Sequence, residues 1–409
     1  MILFNLVQLV VFVLLTLATL YVFIFAFAGL FYRQPAYKKP SAFRKIALLI
    51  PGYKEDEVIV EVAGEALLQD YPPYRYDVVI IADSFMPSTL DALRKLPVKV
   101  IEVSFDQSTK AKALNKAMEQ LPEDYDIAVV LDADNIMETG FLSKVNAAFE
   151  NNITAVQGHR TAKNMDTPLA ILDSVSEEIN NHIFRKGHRV LGFASAIIGS
   201  GMAFRYPFFK QMMASVKAVG GFDKEIELHL LKNNLSIGYL DDAYVYDEKV
   251  QKAEVFSNQR RRWLSAQLHY FMTDFIPSLK LLFTKGNVNY FDKALQFIQP
   301  PRILLLGAVL SASALFITMN ILLNNAHLIT QSWIILAAIL TLSFLFSVPL
   351  SFWNGGTLKA MASLPKGMML MTGSLLRIKG ANRQFIHTKH STVKAGNQGK
   401  QIQPKQTKP

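Results

Sequence analysis

Cysteine is absent from all 409 residues, which excludes disulfides and thiolate metal sites. Charge is absent from residues 1–32, and again between Arg302 and Lys359. At about 1.5 Å per residue the first of these stretches exceeds the ~30 Å of a bilayer core, so it reads as a transmembrane helix. Acid is absent from Asn354 to Pro409, where ten Lys/Arg stand, so the whole formal charge of +10 lies in that stretch. A basic excess confined to one end, with no basic face or recognition motif, excludes nucleic acid as a partner and points to anionic lipid. An internal repeat is also lacking.

What is present agrees with a membrane protein. Hydrophobic residues make up 51% of the chain. The long uncharged gap holds two apolar stretches, Ile303 to Leu323 and Trp333 to Phe352, joined by a polar but uncharged "NNAHLITQS", the pattern of a helical hairpin. Arg33, Lys38, Lys39, Arg44 and Lys45 follow the first span, Lys293 and Arg302 precede the second, and Lys359 and Lys366 follow the third. By the positive-inside rule the N-terminus lies outside and the central domain and C-terminus in the cytoplasm; the expected location is a bacterial cytoplasmic membrane. Residues 1–32 lack the basic n-region and small-residue cleavage site of a cleaved signal peptide. The expected organisation is a transmembrane helix at 1–32, a cytosolic domain at 33–275, an interfacial segment at 276–302 and the hairpin at 303–353. A second interfacial segment at 354–390, broken by Pro365, and a basic tail at 391–409 of disordered composition follow.

Within 33–275, short β-rich runs alternate with helical patterns. "IALLIPGY" (46–53), "DVVIIADS" (77–84), "VKVIEV" (98–103) and "DIAVVLDAD" (126–134) are nearly continuous Val, Ile and Leu, which predicts a mostly parallel sheet covered on both faces. Ligands bind beyond the carboxyl ends of such strands. Acids stand there: Glu55, Asp83, Asp132 and Asp134. A helix is expected from Pro168 to about Arg189 and another around Glu225 to Leu231, with strands at "GSGMAFR" (199–205) and "AYVYDE" (243–248).

In "VVLDADN" two carboxylates one residue apart end a buried strand, where each must be solvated or paired. Oxygen-ligated Mg²⁺ or Mn²⁺, bridging carboxylates to substrate phosphate, supplies a reason for both. In "SNQRRRWLSAQ" (257–267), helical spacing puts Gln259, Arg262 and Trp263 on one face and turns Arg260 and Arg261 elsewhere. Arginine forks onto phosphate, and tryptophan offers a flat surface for a sugar ring. His387 and His390, amid lysines, read as a surface segment, and Met368, Met369 and Met371 as apolar filling.

Asp132-Ala-Asp134 together with Gln259-Arg-Arg-Arg262-Trp263 resembles the D-x-D and Q-x-x-R-W pair of the membrane-bound family 2 glycosyltransferases, the group containing cellulose, chitin and hyaluronan synthases. The likeness runs from about Ile46 to Tyr270 and into the hairpin. It implies a GT-A fold, an α/β domain with a Rossmann-like mostly parallel sheet, and inverting transfer of a hexosyl or N-acetylhexosaminyl group from a nucleotide-sugar donor, most often UDP-linked. "IPGYKEDE" is similar to the family's P-x-Y-N-E element with Lys54 in place of Asn. The resemblance therefore places Tyr53, Glu55, Asp83, Lys112 and Asp132 at the donor nucleotide, and Asp134 with Asp132 at the metal. Gly199, Ser200 and Gly201 line the sugar and acceptor pocket, and Gln259, Arg262 and Trp263 act in catalysis.

One departure concerns the general base. The family's usual E-D reads here as "GFDKEIELHLL", so that alignment on Glu227-Leu228 makes the base Glu225 and its predecessor Lys224. Asp223 is the rival, two residues out of register. The expected partners are the nucleotide sugar, membrane lipid and a glycan or lipid-linked acceptor. Three spans are few to enclose a channel, which leaves open polymer synthesis with a partner subunit or homo-oligomer, single transfer to a lipid, and a silent scaffold that keeps the fold.

Overall fold

The uncharged N-terminal stretch, free of proline as well, coils into helix α1, Ile2–Gly29. In the computed structural model, which describes residues 2–378 apart from 217–219, 325 and 326, α1 packs directly on the turn at 182–187. The tail at 391–409, with His387 and His390, lies outside the described residues.

Eight strands form one sheet: β1 Ile46–Tyr53, β2 Tyr76–Asp83, β3 Lys99–Val103, β4 Ile127–Val130, β5 Ile136–Met137, β6 Ala155–Ala162, β7 Met202–Arg205 and β8 Ile237–Asp247, in the order β3-β2-β1-β4-β7-β6-β8-β5. Strands β3, β2, β1 and β4 run parallel, as do β6 and β8, while β7 is antiparallel to both neighbours and β5 to β8. Period-two alternation sends Ala47 and Leu49 of β1 into one core and Ile46, Leu48 and Ile50 into the other. That double burial is why the runs are apolar throughout. The helices of this region are α2 Ile59–Ala66, α3 Pro87–Arg94, α4 Lys110–Gln120, α5 Phe141–Ala148, α6 Pro168–Asn181, α7 His188–Val190, α8 Tyr206–Met213 and α9 Phe222–Lys232.

Several elements depart from the expected bounds. Strand β4 stops at Val130, because the chain turns at Asp132, whose carbonyl accepts the Asn135 N–H at 3.1 Å. The expected helix to Arg189 changes at His182 into a π-helical turn, His182–Gly187, before α7. A wider turn here makes room for α1: a Cβ on Gly187 would lie 2.0 Å from the Phe25 carbonyl oxygen, and one on Gly29 2.5 Å from His182 Nε2.

Helix α10 (Ala253–Lys285) crosses the boundary expected at 275/276 without a break, with Pro277 inside it. It leads through α11 (Val288–Ile298) to α12 (Arg302–Leu322) and α13 (His327–Ser347). Among the described residues three helices are long and apolar enough to cross a membrane, α1, α12 and α13. They share a core in which Trp333, fully buried, meets the rings of Phe12 at 5.0 Å and Phe316 at 5.1 Å. Beyond them come α14 (Gly355–Met361) and α15 (Leu364–Leu376). Pro365 begins α15 rather than breaking it, since the first helical turn needs no donor from the proline nitrogen.

Candidate active site

Two turns are locked together where β4 and β7 meet. Asp132 N–H donates to Ser200 Oγ at 2.9 Å, Ser200 Oγ–H donates to Asn135 Oδ1, and Gly201 N–H donates to the Val130 carbonyl at 2.9 Å. Gly199 (φ +83°) and Gly201 (φ +64°) take left-handed conformations open to glycine without strain. A side chain at Gly201 would also press on Val245, its Cβ 3.0 Å from Cγ2. Sequence reasoning missed Asn135, which bridges Asp134 Oδ1 (3.1 Å) and Asp247 Oδ1 (3.0 Å) through Nδ2. Its position next to the D-x-D was the available signal. The Asp134 carboxylate is buried at 3% exposure and accepts the Glu248 N–H at 3.3 Å.

The β1–β2 register pairs Tyr53 with Asp83, so both strands deliver their acids to one edge. Lys54 N–H bonds the Asp83 carbonyl at 3.0 Å, and Ser84 Oγ–H the Asp83 carboxylate at 2.9 Å. Lys54 and Ser84 both have positive φ, +55° and +60°. Asparagine, the family residue at position 54, tolerates that conformation better than lysine. Lys54 places its ammonium 5.1 Å from the Tyr53 ring centre. Glu55 is buried, and its carbonyl accepts the Val58 and Ile59 N–H groups as α2 starts.

Lys110, not Lys112, enters this crevice. Thr109 caps α4, and Lys110 at its first turn gives its ammonium to Asp132 Oδ1 at 2.5 Å and to the Gly199 carbonyl at 2.8 Å, over the Phe222 ring. Two residues on, about 200° round the helix, Lys112 turns outward to the Gln107 carbonyl at 2.8 Å. "KAKALN" holds both lysines, and only the helix phase separates them.

Asp223, not Glu225, lies against the glycine turn. A Cβ on Gly199 would be 3.5 Å from Asp223 Cβ and 3.7 Å from its Cγ. Gly221, left-handed before α9, brings the helix N-terminus onto α10, where its Cβ position is 3.1 Å from Ala266. Glu225 follows two residues later, about 200° further round the helix axis. Burial raises the Tyr270 hydroxyl pKa, and the negative charges of Glu225 and Asp223 raise it further.

On α10 the arginines divide, though not as helical spacing suggested. Arg260 does not turn away from Trp263: it pairs with Asp173 of α6, and its guanidinium stacks 4.2 Å from the Trp263 ring and 4.6 Å from Phe256. The reason is that α6 packs beside α10 and supplies the carboxylate. Arg260 thereby braces Trp263, which stays 39% exposed. Burial lowers the pKa of the Arg262 guanidinium, and Gln259 Oε1 is buried with no hydrogen-bond partner among the described residues.

Beneath the site lies a charge cluster unsignalled by any motif. Arg160 Nε binds Glu177 at 2.7 Å, and Lys249 binds both Glu177 and, at 2.8 Å, Asp247. Burial alone would push the Asp247 carboxyl up, but Arg160 and Lys249 beside it hold it well below the usual range. Lys163, buried, donates to the Asp134 carbonyl at 2.7 Å.

His159 sits between Glu178 (3.1 Å) and Asp241 (3.0 Å), with Lys186 also on Asp241 at 2.8 Å. Burial alone would lower its pKa, but the two carboxylates raise it to about 9. A raised folded pKa stabilises fully below the unfolded value, about 6.5, and the contribution is lost as pH rises through about 9. Melting of the solubilised full chain should therefore show falling stability from pH 6.5 to 9, by up to roughly 3 kcal/mol from this group. His159→Gln should remove that slope; an unchanged slope would assign it elsewhere.

A curled, mostly parallel sheet with acids at its strand ends, extended by mixed strands that carry a glycine turn, is the GT-A arrangement of nucleotide-sugar-dependent glycosyltransferases. Residues 44–266 match the family model described as glycosyltransferase like family 2, and the chain belongs to this family. In sequence it is similar to a beta-monoglucosyldiacylglycerol synthase of Synechocystis sp., 26% identical over 237 residues, which are 54% of this chain and 47% of that protein. The chain thus spans about half the length of this curated relative. In structure it is similar to the mannosyltransferase PcManGT of Pyrobaculum calidifontis, solved with GDP-Man and Mn²⁺, at a TM-score of 0.51 and 17% identity over 83% of this chain and 97% of that one. At that identity the likeness is one of fold.

Proposed function

We propose that the protein is an inverting glycosyltransferase that moves one sugar from a UDP-linked donor to a lipid acceptor at the cytoplasmic face of a membrane. The observation that carries this reading is the convergence of Asp132, Lys110, the Gly199 carbonyl and Asp223 at one crevice. Single transfer is favoured over polymer synthesis because the described spans close on Trp333 rather than around a passage. The sequence similarity to a glycolipid synthase supports the same acceptor class.

A divalent cation fits the residues present. Among the described residues no group of three or more His, Cys, Asp or Glu could hold one, yet Mg²⁺ and Mn²⁺ commonly use one or two carboxylates and take the remaining ligands from phosphate and water. Asp134 and Asp132 would hold it, and when bound it would neutralise charge on the diphosphate. Tyr53, Glu55 and Asp83 receive the nucleoside. The Lys110 ammonium leaves Asp132 to meet the diphosphate, whose leaving charge Arg262 also stabilises. Asp223 accepts the acceptor hydroxyl proton as the new bond forms, and Trp263, braced by Arg260, supports the acceptor.

The test is incubation of the full chain, in detergent with membrane lipid, with labelled UDP-glucose, UDP-N-acetylglucosamine and GDP-mannose. Label from one UDP-sugar should enter the organic phase as a lipid carrying a single sugar, stop with chelator and resume with Mg²⁺ or Mn²⁺. Label in an aqueous polymer would overturn the acceptor assignment. No turnover of any donor would favour a silent scaffold.

A further inference from the structure

Helix α11 joins the membrane anchor to the acceptor turn through a buried polar chain that the proposed chemistry does not use. Tyr21 of α1 donates to Asp292 Oδ1 at 2.7 Å. Asp292 Oδ2 faces His188 Nε2 at 3.2 Å and accepts from Gln296 Nε2 at 2.8 Å. Gln296 Oε1 accepts from Lys293 Nζ at 3.0 Å, and Lys293 pairs with Glu227 of α9 at 2.8 Å. Glu227 Oε1 in turn accepts the Ile197 N–H at 3.4 Å, two residues before Gly199. At the start of the same helix, Asn289 Oδ1 accepts the Ala194 N–H at 2.7 Å. His188, Glu227, Lys293 and Asp292 are 0, 2, 7 and 8% exposed.

Apolar side chains of similar volume would hold these helices together at least as well, since a buried ion pair gains little over its desolvation cost. What the pair adds is direction. Glu227 stands one turn after Asp223 on α9, so Lys293 fixes the rotation of the helix that presents Asp223. Through Ile197 it also fixes the approach to Gly199. We infer that Lys293 is a positioning residue for acceptor attack, setting Asp223 and the Gly199 turn relative to α1 and hence to the membrane. This rests on the glycosyltransferase reading of the site.

The test compares transfer to lipid with donor hydrolysis, in which water replaces the acceptor, for the full chain in lipid nanodiscs. Lys293→Met should lower the transfer kcat by about tenfold to a hundredfold, the scale of a small misplacement of reacting groups. Donor KM and hydrolysis should stay at the parent values, and Lys293→Arg should restore part of the transfer. If Lys293→Met does not fold, Tyr21→Phe, which removes one hydroxyl, is read by the same ratio and should also lower transfer relative to hydrolysis. Equal loss of both activities, or unchanged transfer in a folded variant, would overturn the inference. A parent protein that turns over no donor would instead sink the underlying reading.

Discussion

Asp223→Asn should reduce transfer by about a hundredfold to ten-thousandfold, the range for losing a general base, while donor binding stays near that of the parent. The amide keeps shape and hydrogen bonding but takes no proton. Glu225→Gln should leave the rate close to the parent value, because Asp223 is the carboxylate that lies against Gly199. The family alignment puts the base at Glu225, so the two variants decide between the alignment and the geometry. Loss at Glu225 with activity kept at Asp223 would restore the alignment. Donor binding followed by nucleotide competition separates loss of chemistry from loss of fold.

Asp134→Asn should reduce transfer by about a thousandfold, equivalent to about 4 kcal/mol of transition-state stabilisation, if Asp134 holds a cation against the diphosphate. Unlike Asp223→Asn, it should also weaken the donor, and excess Mn²⁺ should not rescue it. The isosteric amide can still accept the Glu248 N–H that Asp134 Oδ2 accepts, so the turn should survive. Full activity in this variant would remove the cation from the proposal. Asn135→Ala offers a contrast: it keeps both carboxylates but cuts the links to Ser200 and Asp247.

Much of the scaffold was legible because strands buried on both faces must be apolar throughout. β1 came out at its expected bounds, and β2 and β3 within a residue. The three spans were legible for the same kind of reason, since charge is excluded over a bilayer thickness. Helix phase was less so: Lys110 and Lys112, two residues apart, turn to different partners, and of Asp223 and Glu225 it is Asp223 that lies against Gly199. Composition is the same for either choice. The partners of Arg260 and His159 were hidden as well, because Asp173, Glu178 and Asp241 come from remote parts of the chain.

The sequence by itself determined the sheet's apolar runs, the acids at their ends, the uncharged spans and the family resemblance, all of which depend on local pattern and order along the chain. Tertiary structure decided which lysine meets Asp132, which acid faces Gly199, that Arg260 braces Trp263, and that α1 is tied through α11 to the Gly199 turn. Those facts depend on rotation about helix axes and on contacts between residues as far apart as Tyr21 and Asp292. Such contacts are fixed only when the helices close on the sheet and on one another, and a local pattern carries no record of that closure.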